Sequence, residues 1–91
     1  PVMYRLEFLP GAVKDLKKLD FVVQKIIKSK LEILVANPEH LKNDIKALKG
    51  RHSGKCRLRV RDYRVIFQKR DDVLIILIIG IGHRKNVYDG A

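Results

Sequence analysis

From Lys55 to Arg61 the chain alternates cation and apolar residue at every step: Lys55, Cys56, Arg57, Leu58, Arg59, Val60, Arg61. A two-residue period of this kind suits a β-strand, which sends successive side chains to opposite faces. Wound as a helix, the same residues would scatter their charges around the axis and leave no continuous apolar stripe. The segment therefore predicts a sheet with a packed core on one side and a cationic face on the other, and function is to be sought on the charged side.

The rest of the chain supplies the layers. Val2, Tyr4, Leu6 and Phe8 alternate with Met3, Arg5 and Glu7, predicting an opening strand that Pro10-Gly11 ends. Proline is tolerated in a first helical turn, and Val13, Leu16 and Leu19 then recur at helical spacing. Asp20 is placed to cap a second, longer helix whose stripe is Val23, Ile26, Ile27, Leu31 and Leu34, ending near Asn37-Pro38 because a residue before proline avoids the helical region. The two helices form an antiparallel hairpin. Glu39 to Gly54, anchored by Leu41, Ile45 and Leu48, reads as a connection holding one helical turn.

Three strands follow, Lys55 to Arg61, Tyr63 to Gln68 and Val73 to Ile79, joined by tight turns at Asp62 and at Arg70-Asp71-Asp72 into an antiparallel meander. Tyr63, Val65 and Phe67 share the apolar side, so Arg64 and Gln68 join Arg57 and Arg59 on the other. The last strand is apolar throughout, which predicts a central strand covered on both faces. Gly80 and Gly82 then release a polar tail from His83 to Tyr88. The expected class is α+β: an N-terminal strand, a two-helix antiparallel hairpin and a three-stranded antiparallel meander, with the helices on one face of the sheet, in a single domain over residues 1–91.

A formal charge of +10 on 91 residues implies long-range attraction to polyanions, with RNA, DNA, an acidic protein and an anionic membrane all eligible. The only cysteine, Cys56, cannot form an internal disulfide and falls on the core side of its strand, as a structural thiol in a reducing cytoplasm would. The apolar run from Val73 to Ile79 is far short of the roughly 20 residues a bilayer span needs. No charged-then-apolar leader opens the chain, so a cytoplasmic protein with no membrane partner is expected. Pro1 and Val2 precede Met3, a candidate native start, and are left out of the functional reading.

Cleavage of a phosphodiester by its own 2′-hydroxyl needs a base, positive charge for the extra oxyanion charge, an acid for the leaving 5′-oxygen, and in-line positioning. No metal is obligatory, and neither a metal nor a cofactor is expected. Arg57, Arg59, Arg64 and Arg84 can clamp a phosphate as planar forks, with Lys55 and Arg61 extending the basic row. Arginine does not deprotonate in proteins, so the proton-transfer candidates are His83 and Tyr88, with Lys55 a further one. Plainer readings stand beside each of these. A cationic row is also what a solvated face or a guarded sheet edge looks like. Tyr63 fits the core, His40 and His52 fit ordinary surface positions, and Tyr88 equally suits an apolar anchor.

The succession of strand, helix hairpin, basic loop and meander, with LKG at Leu48-Lys49-Gly50, CRLRVRDYRVIFQ at Cys56 to Gln68 and GHRKNVY at Gly82 to Tyr88, resembles the RelE branch of the RelE/ParE toxin superfamily over nearly the whole chain. The resemblance implies a microbial toxin of a toxin–antitoxin pair that enters the ribosomal A site and cuts messenger RNA by 2′-hydroxyl attack. It implies an antitoxin partner with an acidic amphipathic segment, the ribosome and messenger RNA as further partners, and a free toxin that is monomeric. Carried over by motif, Arg64 steadies the scissile phosphate, and Arg84 and Tyr88 match the arginine and tyrosine of the family's tail. Arg57 and Arg59 stand where the best-known RelE enzymes have lysines, so neither can accept a proton, and that burden shifts to Tyr88 and His83. The superfamily also contains the ParE-like branch, which poisons DNA gyrase without nuclease chemistry. A non-catalytic RNA-binding module is a third reading.

Overall fold

The computed structural model of the chain describes residues 3–87. Strand β1 (Arg5–Phe8) leads into helices α1 (Pro10–Lys17) and α2 (Phe21–Ala36). Strands β2 (Ile45–Ala47), β3 (Cys56–Val60), β4 (Tyr63–Arg70) and β5 (Ile75–His83) follow. They form one five-stranded sheet in the order β1-β5-β4-β3-β2. β1 runs parallel to β5, and the remaining neighbours are antiparallel.

The α+β class, the helix hairpin and the meander are as the sequence predicts. Several details differ. The connection from Glu39 to Gly54 holds two 3₁₀ segments, Pro38–Asp44 and Gly50–His52, and between them β2, which extends the sheet beyond β3. The middle strand is β4, with β5 enclosed between it and β1. β5 also begins and ends later than its apolar run suggests. Val73 and Leu74 lie in the turn before it, 51% and 41% exposed, and the strand continues through Gly80 and Gly82 to His83. Asp20 sits at the start of α2 without a side-chain capping bond; instead the Gln24 side chain donates to the Leu19 carbonyl at 2.9 Å.

One face of the sheet carries the core. Leu58, Val60, Val65, Phe67, Ile76, Ile78 and Ile81 pack against Ala12 and Leu16 of α1 and against Ile27, Leu31 and Leu34 of α2. Burying a side chain of this size fully is worth about 1.5–3 kcal/mol. Among the described residues no helix is long and apolar enough to cross a membrane.

A bulge shapes the end of β5. Ile66 pairs with Gly80 but Phe67 pairs with Ile78, leaving Ile79 as an extra residue. Past the bulge β1 has ended, and the Asp15 carboxylate of α1 accepts the Ile81 N–H at 3.0 Å in place of a strand carbonyl, so a donor that would otherwise be stranded is satisfied.

Candidate functional site

The register of the meander sorts the cations. Arg59 lies directly opposite Arg64, and Arg57 opposite Ile66. On the far side of β3, Lys46 of β2 lies opposite Arg57. Side chains opposite one another share a face, so Lys46, Arg57, Arg59 and Arg64 occupy the face of the sheet away from the helices. Ile66, completely buried, floors that face, and Gly80 and Gly82 opposite Ile66 and Arg64 add no side chains to it.

Each arginine has a distinct environment. Arg59 forms a forked pair with Asp44, its Nε and Nη2 donating to Oδ1 at 3.2 and 2.8 Å. The other Asp44 oxygen accepts from Lys30 of α2 at 3.0 Å, and Lys30 also donates to the Arg59 carbonyl at 2.9 Å. The hydrogen bonds from Lys30 and Arg59 hold the Asp44 carboxyl below the usual carboxylate range. Arg57 donates through Nη1 to the Asp44 carbonyl at 3.1 Å, a contact that orients the fork without cancelling its charge. Arg64 donates through Nη1 to the Arg61 and Tyr63 carbonyls, both at 2.9 Å, and so is held at the β3–β4 turn. Arg61 occupies that turn at φ +55°.

The chain after β5 returns to the same corner. The Arg84 N–H donates to the Asp62 carbonyl at 2.8 Å, fixing the backbone of Arg84 beside the turn that holds Arg61 and Arg64. Val87, 7% exposed, folds back over Gly82: a Cβ on Gly82 would lie 3.4 Å from the Val87 Cα and Cβ. Because Gly82 is opposite Arg64, that contact is on the open face. Tyr88 lies outside the described residues.

His83 is placed differently. It belongs to β5 rather than to a tail, lies opposite Tyr63, and meets the Tyr63 ring edge to face with centroids 5.8 Å apart. Tyr63 packs against the core, so the imidazole emerges on the helix side of the sheet. Its Nδ1 accepts the Lys85 N–H at 3.3 Å, which leaves Nε2 as the protonated nitrogen of the neutral ring. Lys55 stands half-buried just before β3. Cys56 packs against the core, and burial pushes its thiol up despite the nearby Lys69, so it has the character of a structural thiol.

The structure thus brings Arg57, Arg59 and Arg64 to one face and Arg61, Arg64 and the Arg84 backbone to one corner, and it parts His83 from them. The sequence reading missed Asp44, Lys30 and Lys46. Asp44 and Lys46 carried one available signal: they flank Ile45, an apolar anchor in a polar stretch. Among the described residues no three His, Cys, Asp or Glu side chains gather as a metal site would require.

A family model described as the ParE toxin of type II toxin–antitoxin system, parDE, matches residues 6–88. The chain is 30% identical over 90 residues to a RelE-like toxin protein of Escherichia coli, covering 97% of this chain and 93% of the relative. It is 29% identical, with the same coverage, to the mRNA interferase toxin RelE of Escherichia coli strain K12. Among solved structures, the archaeal RelE–RelB complex of Pyrococcus horikoshii OT3 superposes with a TM-score of 0.76 at 26% identity, covering 91% of this chain and 97% of that one. The RelB–RelE antitoxin–toxin complex of Methanococcus jannaschii superposes with a TM-score of 0.70 at 35% identity, covering 92% and 96%.

Proposed function

Because this chain belongs to the ParE toxin family of type II toxin–antitoxin systems, we propose that it is a RelE-type toxin that cuts messenger RNA in the ribosomal A site and so arrests translation in the cytoplasm. The observation that carries this reading is the corner at the β3–β4 turn, where Arg64 is held by two backbone carbonyls, the Arg84 backbone is bound, and Val87 covers Gly82. Positive charge preorganised there supports the extra negative charge of a pentavalent phosphate.

In this mechanism the 2′-hydroxyl of the messenger attacks the adjacent phosphorus and the 5′-oxygen of the next nucleotide leaves. Arg64 and Arg84 hold the non-bridging oxygens, and Arg57 and Lys55 on one side with Arg61 at the turn on the other draw the strand onto the face. Arg59, balanced by Asp44, shapes the site more than it charges it. Tyr88, which matches the tyrosine of the family's tail motif, is assigned the proton transfer, because a phenol can give and take a proton and arginine cannot. His83 is a weaker candidate: its Nδ1 is occupied and its ring shares the helix-side face with Tyr63. The ribosome fixes the messenger in line. An antitoxin of RelB type, as in the archaeal relatives, neutralises the basic face with an acidic segment.

The description of the matching family as a ParE toxin favours a second reading, gyrase inhibition by protein contact. Induced expression in a bacterial host separates the two. The nuclease reading expects translation arrest with messenger cuts inside translated codons, both relieved by Arg64→Ala and by Tyr88→Phe. Gyrase-bound DNA breaks with intact messengers would replace it with the second.

A further inference from the structure

At the β2 edge of the sheet, toward the start of β3 and away from the β3–β4 turn, Lys46, Ala47, Leu48, Lys49 and Arg57 line an open groove of about 430 Å³. It is built from the LKG segment, which the catalytic reading leaves unused. Three of its five lining residues are cations, and among the described residues no carboxylate pairs with any of them. Lys46 and Arg57 stand directly opposite one another, an arrangement of like charges that destabilises a strand pair unless something else neutralises it. Asp44, two residues before Lys46, pairs with Lys30 and Arg59 instead. Leu48, half-buried between the lysines, offers an apolar surface to a ribose.

We propose that this groove is a second phosphate subsite, holding the backbone of a nucleotide that flanks the cleaved linkage. The inference rests on the RNA-cleaving reading and extends it. Lys46 lies two strands across from Arg64 and two residues along, since Arg64 faces Arg59 and Lys46 faces Arg57; at about 4.8 Å per strand and 3.3 Å per residue that is about 12 Å, so RNA leaving Arg64 reaches the groove about two nucleotides further along. Arg57, which faces both regions, bridges them. The groove selects for backbone charge and not for base identity, since its cations are placed to neutralise phosphate oxygens.

The test is the salt dependence of binding, measured by fluorescence anisotropy of the whole chain with short single-stranded RNA whose riboses are 2′-O-methylated and cannot be cut. Each phosphate neutralised contributes about 0.7 to the slope of log K against log salt for a single strand. Lys46→Gln with Lys49→Gln is expected to lower the slope by about 0.7, the loss of one phosphate contact, and the affinity about fivefold near 0.1 M salt. Lys46→Arg with Lys49→Arg is expected to restore both. A dinucleotide, too short to span the two regions, is expected to lose nothing. Lys14→Gln with Lys18→Gln, which removes the same charge from α1 and its end, is expected to leave the slope unchanged. An equal loss for both pairs, or no binding by the unsubstituted chain at low salt, overturns the proposal. So does an unchanged slope with weakened binding only to ribosomes or only to an acidic antitoxin peptide. Because nothing is cleaved in this measurement, failure of the nuclease reading is detected separately, by messengers that stay intact on translating ribosomes.

Discussion

At Asp44 a single carboxylate takes Lys30 on one oxygen and Arg59 on the other, while its carbonyl orients Arg57. This residue decides which cations remain available to a ligand. Asp44→Asn is expected to lower stability by about 1–2 kcal/mol, since it leaves the partly buried Lys30 ammonium without its counter-charge, and the shift is read from the urea midpoint at unchanged slope. The pH dependence has a definite sign. The Asp44 carboxyl is lowered in the folded chain, so its contribution is complete above the ordinary carboxylate value of about 3.9 and is lost as pH falls through the lower folded value. The difference between parent and variant should therefore be constant at neutral pH and shrink only in acid. The cations of this face were legible because strict alternation marks a strand and its two faces. Their acidic partner was not, because Asp44 lies 13 to 15 residues from the arginines it contacts and no periodicity joins them.

At the level of elements, the sequence identified what has a long period and missed what is short or interrupted. The α2 stripe and the alternation of β3 and β4 are repeated patterns, and they form as expected. β2 has only three residues, too few for alternation to show, and it exists because β3 offers it a ladder. Gly80 and Gly82 read as an exit because glycine weakens strands in general. In this fold pairing with β4 carries the chain through both of them, and the absence of a side chain at Gly82 admits Val87. Gly82→Val is expected to leave the sheet folded, because the backbone there needs no left-handed conformation, while the added methyl groups push the Val87 turn off the open face. Messenger cleavage should then fall by up to about a hundredfold, as a displacement near 1 Å at a catalytic group can cause. Cleavage is followed in a translating extract, with circular dichroism as the check on folding.

For the whole molecule, the division of labour is between two faces of one sheet. Helices α1 and α2 close one face into a core, and the other gathers Lys46, Arg57, Arg59 and Arg64. The net charge of +10 belongs to that arrangement: it speeds encounter with a polyanion and makes it salt-dependent, whereas the cleavage proposed above rests on a few fixed guanidinium groups. Composition revealed the attraction, and the motifs near Arg64 and Arg84 pointed to the corner. The neutralisation of Arg59 and the position of His83 emerge only from tertiary pairing. Attack by a neighbouring ribose hydroxyl at this corner is tested with ribosomes programmed with a messenger carrying one 2′-deoxynucleotide at the mapped cut. Cleavage at that linkage should disappear while cuts in the all-ribose messenger persist. Unchanged cleavage at the deoxy position would rule out attack by the 2′-hydroxyl.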